Sequence, residues 1–136
     1  VAGVWSVTSF TELRRDGLNV ERHNRWHPDA APIQSWVEQC LGPTTGPIVA
    51  VSDYLRAVPD LIRAWVPRRY VTLGTDGYGR SDTRAALRRF FEVDRHYIAV
   101  AALQALADEG MIDRSQVTQA MARYGIAPNQ PNPWDY

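Results

Sequence analysis

Among the 136 residues there is no lysine, a single cysteine, and no apolar run near the ~20 residues that a membrane-spanning helix needs. Without lysine, Schiff-base chemistry and a phosphate-loop lysine are excluded within the chain. All 15 basic side chains other than histidine are therefore arginine. One thiol, Cys40, allows neither an intrachain disulfide nor a cysteine-based zinc site, and a buried thiol is expected there. The 15 basic and 15 acidic residues give zero formal charge, so no global field favours nucleic acid or an anionic membrane. The opening residues show neither a basic n-region nor a long apolar h-region, so they are not read as a signal peptide. A soluble, cytoplasmic protein is the expectation.

What is present is a 45% apolar composition with five tryptophans, enough for one hydrophobic core and unlike a disordered chain. Val1 is not a methionine and leads straight into strand-like sequence, so the chain is read as the C-terminal piece of something longer. Val4 to Phe10 alternates apolar and hydroxyl residues as a strand does. Ser9 or Thr11 can cap a helix through Leu13 to about Arg15, which Asp16-Gly17 should break. A further helical turn or two should stop at His27 before Pro28. Ile33 to Leu41 reads as a short helix with Ile33, Trp36, Val37 and Leu41 on one stripe, closed by Gly42-Pro43.

The apolar run Ile48 to Val51 suits a strand covered on both faces. Ser52 or Asp53 can cap the next helix, whose stripe runs Leu55, Val58, Leu61, Ile62, Trp65 and which Pro59 should kink. Tyr70 to Leu73 is the third predicted strand. Asp82 is expected to cap the helix TRAALRRFF. Asp94 should cap another from Arg95 to Glu109, ended by a left-handed Gly110, and Asp113 a last one through Tyr124, ended by Gly125. The closing APNQPNPWDY is too proline-rich for regular structure. Strands alternating with helices at this spacing predict right-handed crossovers and a parallel sheet.

The loop after Leu73, GTDGYGRSD, lies where α/β proteins often bind ligands. Its glycines at 74, 77 and 79 miss the dinucleotide spacing, and the Walker lysine is absent. Anion binding at the following helix start, with Arg80 and Arg84 nearby, is one reading. The favoured one is a rigid turn in which Gly77 or Gly79 takes a positive φ and Arg80 pairs with Asp76 or Asp82. His23 and His27 share a helix face at a spacing that zinc sites use, but no third ligand stands near them. Arg25 and Trp26 between them suggest a packed or interfacial segment. Arg84, Arg88 and Arg89 recur at helical spacing, with Glu92 and Asp94 close behind and no aromatic platform, so a solvated or ion-paired face is expected. Residue chemistry assigns no catalytic, cofactor-binding or metal-ligating residue.

VWSVTSFTELRRDG, ERHNRWHP, VSDYLRAVPDLIRAWVP and above all YVTLGTDGYGRSDTRAALRRFFEVD (Tyr70 to Asp94) resemble the C-terminal region of the homodimeric bacterial pyruvate dehydrogenase first component. That subunit is a thiamine-diphosphate-dependent decarboxylase of the transketolase-like superfamily. The resemblance runs from about Val4 to Ile126. It implies an α/β, three-layer domain over residues 1–126, with a mainly parallel sheet flanked by helices, one antiparallel strand, and the domain's first strand and helix missing. An extended tail would occupy 127–136. It further implies that thiamine diphosphate and Mg2+ are bound by diphosphate- and pyrimidine-binding domains absent here, and that the intact subunit decarboxylates pyruvate. The acetyl unit then passes reductively to a lipoyl group on the acyltransferase partner. Implied partners are the rest of the subunit and a second subunit in a homodimer, with neither nucleic acid nor membrane. On this reading the segment serves assembly and is inactive alone. Asp76, Gly77, Gly79, Arg80, Ser81 and Asp82 then form an interface loop. The alternatives are a transketolase-type sugar ketol transferase domain and a non-enzymatic small-anion or regulatory module.

Overall fold

The computed structural model describes residues 2–136, in two compact units. The first comprises residues through Thr45 together with Asp60–Pro67; the second comprises Gly46–Pro59 and Arg68–Tyr136.

In the first unit, helix α1 (Phe10–Trp26) starts at Ser9, whose side chain accepts from the Glu12 amide. Val4 to Phe10, expected as a strand, pairs with no described strand; Ser9 caps α1, Phe10 begins it, and Val4 is 95% exposed. Alternation marks a strand only where a partner supplies the ladder. The expected break at Asp16-Gly17 is also absent. α1 continues through both residues because each serves packing. A Cβ on Gly17 would overlap the Trp65 indole. The Asp16 carboxylate accepts from the Trp36 amide at 2.7 Å, fixing the start of helix α2 (Trp36–Leu41). α2 begins three residues later than predicted, at a capping box in which Ser35 and Glu38 satisfy each other's amides. Ile33 therefore lies outside the helix, where Asn24 holds both its amide and its carbonyl at 2.9 Å. Of the predicted stripe, Val37 is buried while Ile33 and Trp36 are exposed. Cys40 is half-buried, short of the enclosure expected.

The second unit carries strands β1 (Ile48–Val51) and β2 (Tyr70–Leu73), both at their predicted bounds. They pair in parallel with Ile48 opposite Tyr70 and Val51 opposite Leu73. Tyr70 and Thr72 are buried, and the Tyr70 hydroxyl donates to the Pro59 carbonyl at 2.8 Å. β1 is only half-buried, and the described residues hold two strands where three were expected. The expected helix after β1 is two short pieces, α3 (Ala57–Asp60) and a 3₁₀ turn at Arg63–Trp65. Pro59 within α3 has no N–H to extend a longer helix.

Helix α4 (Arg84–Phe90) is capped by Thr83, one residue after the predicted Asp82, which instead accepts from the Thr83 amide. Helix α5 (Arg95–Asp108) is capped by Asp94 and packs on both strands. Helix α6 (Arg114–Tyr124), capped by Asp113, packs on α5. Gly110 and Gly125 take left-handed conformations after α5 and α6 as predicted. The closing segment, read as irregular, contains a 3₁₀ turn at Pro133–Asp135. The α/β class holds, built from helices and a parallel sheet.

Two packing constraints give measurable outcomes. Gly17→Ala gains about 1 kcal/mol of helix propensity but forces overpacking that costs about 1–3 kcal/mol. Net destabilisation by denaturant titration is expected, and a higher midpoint would refute the Trp65 contact. For Asp94, burial raises the carboxyl pKa, yet amide hydrogen bonds from Tyr97 and His96 and the charges of Arg89 and His96 outweigh it and hold the value below the usual range. A depressed carboxylate stabilises the fold above its unfolded value near ~3.9, and that stability is lost as pH falls through the folded value. Asp94→Ala should cost about 1 kcal/mol at neutral pH. The gap to wild type should shrink with acidification below pH ~4; a gap constant down to pH ~3 would contradict this.

Candidate functional site

Because β1 and β2 are parallel and in register, both release their chains at the same end. The loop after β1 (residues 52–56) and the glycine loop after β2 (74–83) are lashed together there. Ser52 N donates to Leu73 O at 3.1 Å and Thr75 N to Tyr54 O at 2.9 Å. The Thr75 hydroxyl donates to Asp53 O at 2.8 Å, and the Arg56 amide to an Asp76 carboxylate oxygen at 3.2 Å. Gly74 is required at the crossing: a Cβ there would lie 2.6 Å from both Arg56 N and Tyr54 O.

Gly77 takes φ +115°, as one predicted alternative had it, while Gly79 does not. A Cβ on Gly77 would sit 3.1 Å from Pro133 O and Trp134 Cα, so the closing segment lies against the loop. Arg80 departs from expectation. Among the described residues it forms no ion pair with Asp76 or Asp82; its guanidinium lies 4.1 Å over the Phe90 ring. The two carboxylates accept from the amides of Arg56 and Thr83, which leaves Arg80 the aromatic face. Ser81 and Tyr78 are exposed.

A crevice of about 80 Å³ opens beside this lashing, with Arg56, Gly74 and Asp76 on one side and Glu92, Asn132 and Trp134 among its other walls. Glu92 joins α4 to α5 and is the one non-glycine described residue with positive φ, at 59°. Its carboxylate accepts from the Gln130 amide at 2.9 Å, and the same nitrogen donates to the Tyr97 hydroxyl at 2.8 Å. Burial raises the Tyr97 pKa, so the phenol stays protonated at neutral pH. Among the described residues the buried Oδ1 of Asn132 meets no hydrogen-bond donor. The sequence offered one clue to Glu92: four residues, FEVD, must turn between two helices, a setting in which a left-handed residue is common. The part played by Gln130 to Trp134 had no local signal.

The other candidates resolve simply. His23 and His27 share a face as predicted, with rings stacked at 4.1 Å, and the described residues gather no group of three possible metal ligands. Trp26 is exposed. His96 stacks on Tyr124. Arg84 and Arg88 are solvated, whereas Arg89 donates to the carbonyls of Tyr124 and Gly125 at 3.1 and 2.8 Å and pairs with Asp94 at 3.5 Å. This is the expected solvated and ion-paired face. No helix among the described residues is long and apolar enough to cross a membrane.

Comparison with known proteins agrees with these features. The Pyruvate dehydrogenase E1 component of Pseudomonas aeruginosa is 58% identical over 135 residues, 98% of this chain and 15% of that protein. The protein of the same name from Cupriavidus necator is 55% identical over 130 residues, 96% of this chain and 14% of its own length. That of Escherichia coli strain K12 is 46% identical over 131 residues, again 96% and 14%. The chain thus spans about one seventh of the length of these relatives, within their C-terminal region. Residues 1–94 match the family described as the Transketolase-like TK C-terminal domain. With its parallel strands, lashed loops and capped helices, the chain belongs to that transketolase-like C-terminal domain family.

Proposed function

We propose that this chain is the C-terminal domain of a pyruvate dehydrogenase E1 component and that it serves assembly, not chemistry. The observation that carries the reading is identity of 58% across nearly the whole chain to a protein of that name. The intact enzyme would decarboxylate pyruvate and reductively acetylate the lipoyl group of an acyltransferase partner, as a cytoplasmic homodimer. Residues 1–126 would form the domain and 127–136 its extended tail. A sugar ketol transferase would share the family, but the relatives' names favour the dehydrogenase. A small-anion module is disfavoured because Thr83 already occupies an amide at the start of α4.

Thiamine diphosphate and magnesium do not fit the residues at hand. The crevice offers only about 80 Å³, and the described residues gather no group of three possible ligands for a divalent ion. The family resemblance assigns their sites to the remaining polypeptide.

An assembly role has physical support in α5. Its sequence RHYIAVAALQALAD is apolar on almost every side, the pattern of a helix enclosed all round. Ala105 and Ala107 are buried, yet most of the other apolar side chains are only half-buried. A groove of about 330 Å³, lined mainly by apolar groups including Val71, Leu73, Val100, Val117 and Met121, runs along it. Such surface is covered in a stable assembly. The loop Asp76, Gly77, Gly79, Arg80, Ser81 and Asp82 would meet the neighbouring domain or subunit.

Two measurements test the reading. Residues 1–136 alone should give no pyruvate decarboxylation even with thiamine diphosphate and Mg2+ supplied, while the full-length protein should; turnover by the fragment would overturn it. In the full-length protein, Arg80→Ala removes a stack worth about 0.5–1 kcal/mol. Dimer dissociation should strengthen a few-fold with kcat within about twofold, whereas a tenfold fall in kcat from an intact dimer would place Arg80 in the chemistry.

A further inference from the structure

We propose that Gln130–Tyr136 is an intramolecular strap that closes the carboxyl ends of β1 and β2 and holds the glycine loop in its ordered form. Three attachments, at separate points, carry the inference. Gln130 bridges Glu92 and the Tyr97 hydroxyl, anchoring the strap where α4 turns into α5. Pro133 and Trp134 lie against Gly77, whose missing side chain makes the approach possible. The Tyr136 ring packs 5.7 Å from Phe90, the ring over which Arg80 lies.

The strap occupies the position at which open α/β sheets usually receive ligands. There it forms one wall of the crevice whose opposite wall is Arg56, Gly74 and Asp76. The chain's own residues thus fill the place that the loop layout marks for a ligand. Half of the glycine loop has a second source of order. Gly74 to Asp76 is tied to the loop after β1 by backbone hydrogen bonds. Gly77 to Arg80 lacks such ties among the described hydrogen bonds, and its described attachments are to the strap and to Phe90. Release of the strap therefore frees the loop from Gly77 onward and leaves the sheet intact. The segment thus governs the order of the loop from Gly77 onward. The strap is supported by contacts within this chain and not by the assembly reading.

Hydrogen exchange on the full-length protein tests it. Deleting residues 130–136 should accelerate amide exchange at Gly77 to Asp82 at least tenfold, with the β2 and α6 amides unchanged. Unchanged loop exchange would overturn the strap, as would equal acceleration in α6, which signals general loosening. Gly77→Val with the segment present forces the same separation from the other side. It should accelerate exchange at the loop and at Asp135, whose amide donates to Asn132 O; protection retained at both would likewise overturn the proposal. Dimer dissociation measured on the same deletion reports on the assembly reading separately.

Discussion

The close crossing at Gly74 is the constraint on which the carboxyl end of the sheet depends. β1 and β2 run in parallel and stop level with each other, so their outgoing chains must separate or join. They join because Gly74 presents no side chain to Tyr54 O and Arg56 N, each 2.6 Å from where a Cβ would be. Every later contact is built on that approach. The Thr75 amide and hydroxyl reach the first loop only if the backbones lie this close. Asp76 then reaches the Arg56 amide, satisfying a donor that a helix would otherwise have used. Two loops become one platform, and Gly77 is delivered to the closing segment.

The energetics of the second unit point the same way. A two-stranded parallel sheet offers little burial by itself, and parallel sheets are normally covered on both faces. Here α5 supplies one cover, with α6 behind it, while β1 is half-buried and Val51 is exposed. An apolar run such as IVAV is therefore matched to more surroundings than the described residues provide. The apolarity of α5 poses the same mismatch from the helix side. Strand and helix are thus both more apolar than their burial among the described residues requires.

Where the sequence was legible, the signal was local. The bounds of β1 and β2 followed from short β-branched runs between turn residues, and Asp94, Gly110, Asp113 and Gly125 were read from capping chemistry that acts within four residues. Misreadings arose where a distant contact decided. Asp16-Gly17 carries a break signal, but Trp65 and Trp36, far along the chain, recruit both residues into a continuous helix. Val4 to Phe10 carries a strand signal without a described partner to pair with it. Ile33 fits the helical stripe, yet Asn24 claims its amide and carbonyl. In the candidate site the turn and a positive φ at Gly77 or Gly79 were readable, because a turn is local, though not which of the two takes it. The strap was not, since Gln130 and Glu92 are 38 residues apart.

Arg80 shows why a loop rich in charges need not be a charged site. Opposite charges on an exposed turn attract weakly through water, and an ion pair there must also fix two flexible side chains. Asp76 and Asp82 each have a nearer use: an amide that needs an acceptor. Once they are committed to Arg56 and Thr83, the guanidinium gains more by lying on Phe90, where a flat cation covers a flat ring without being fully dehydrated. Phe90 is in turn held against Tyr136. The loop's charge thus goes into fixing backbone and one aromatic ring, and the side it turns outward is Tyr78, 77% exposed. A loop whose charges are committed to backbone amides and one aromatic ring in this way holds a fixed shape, with Tyr78 facing outward.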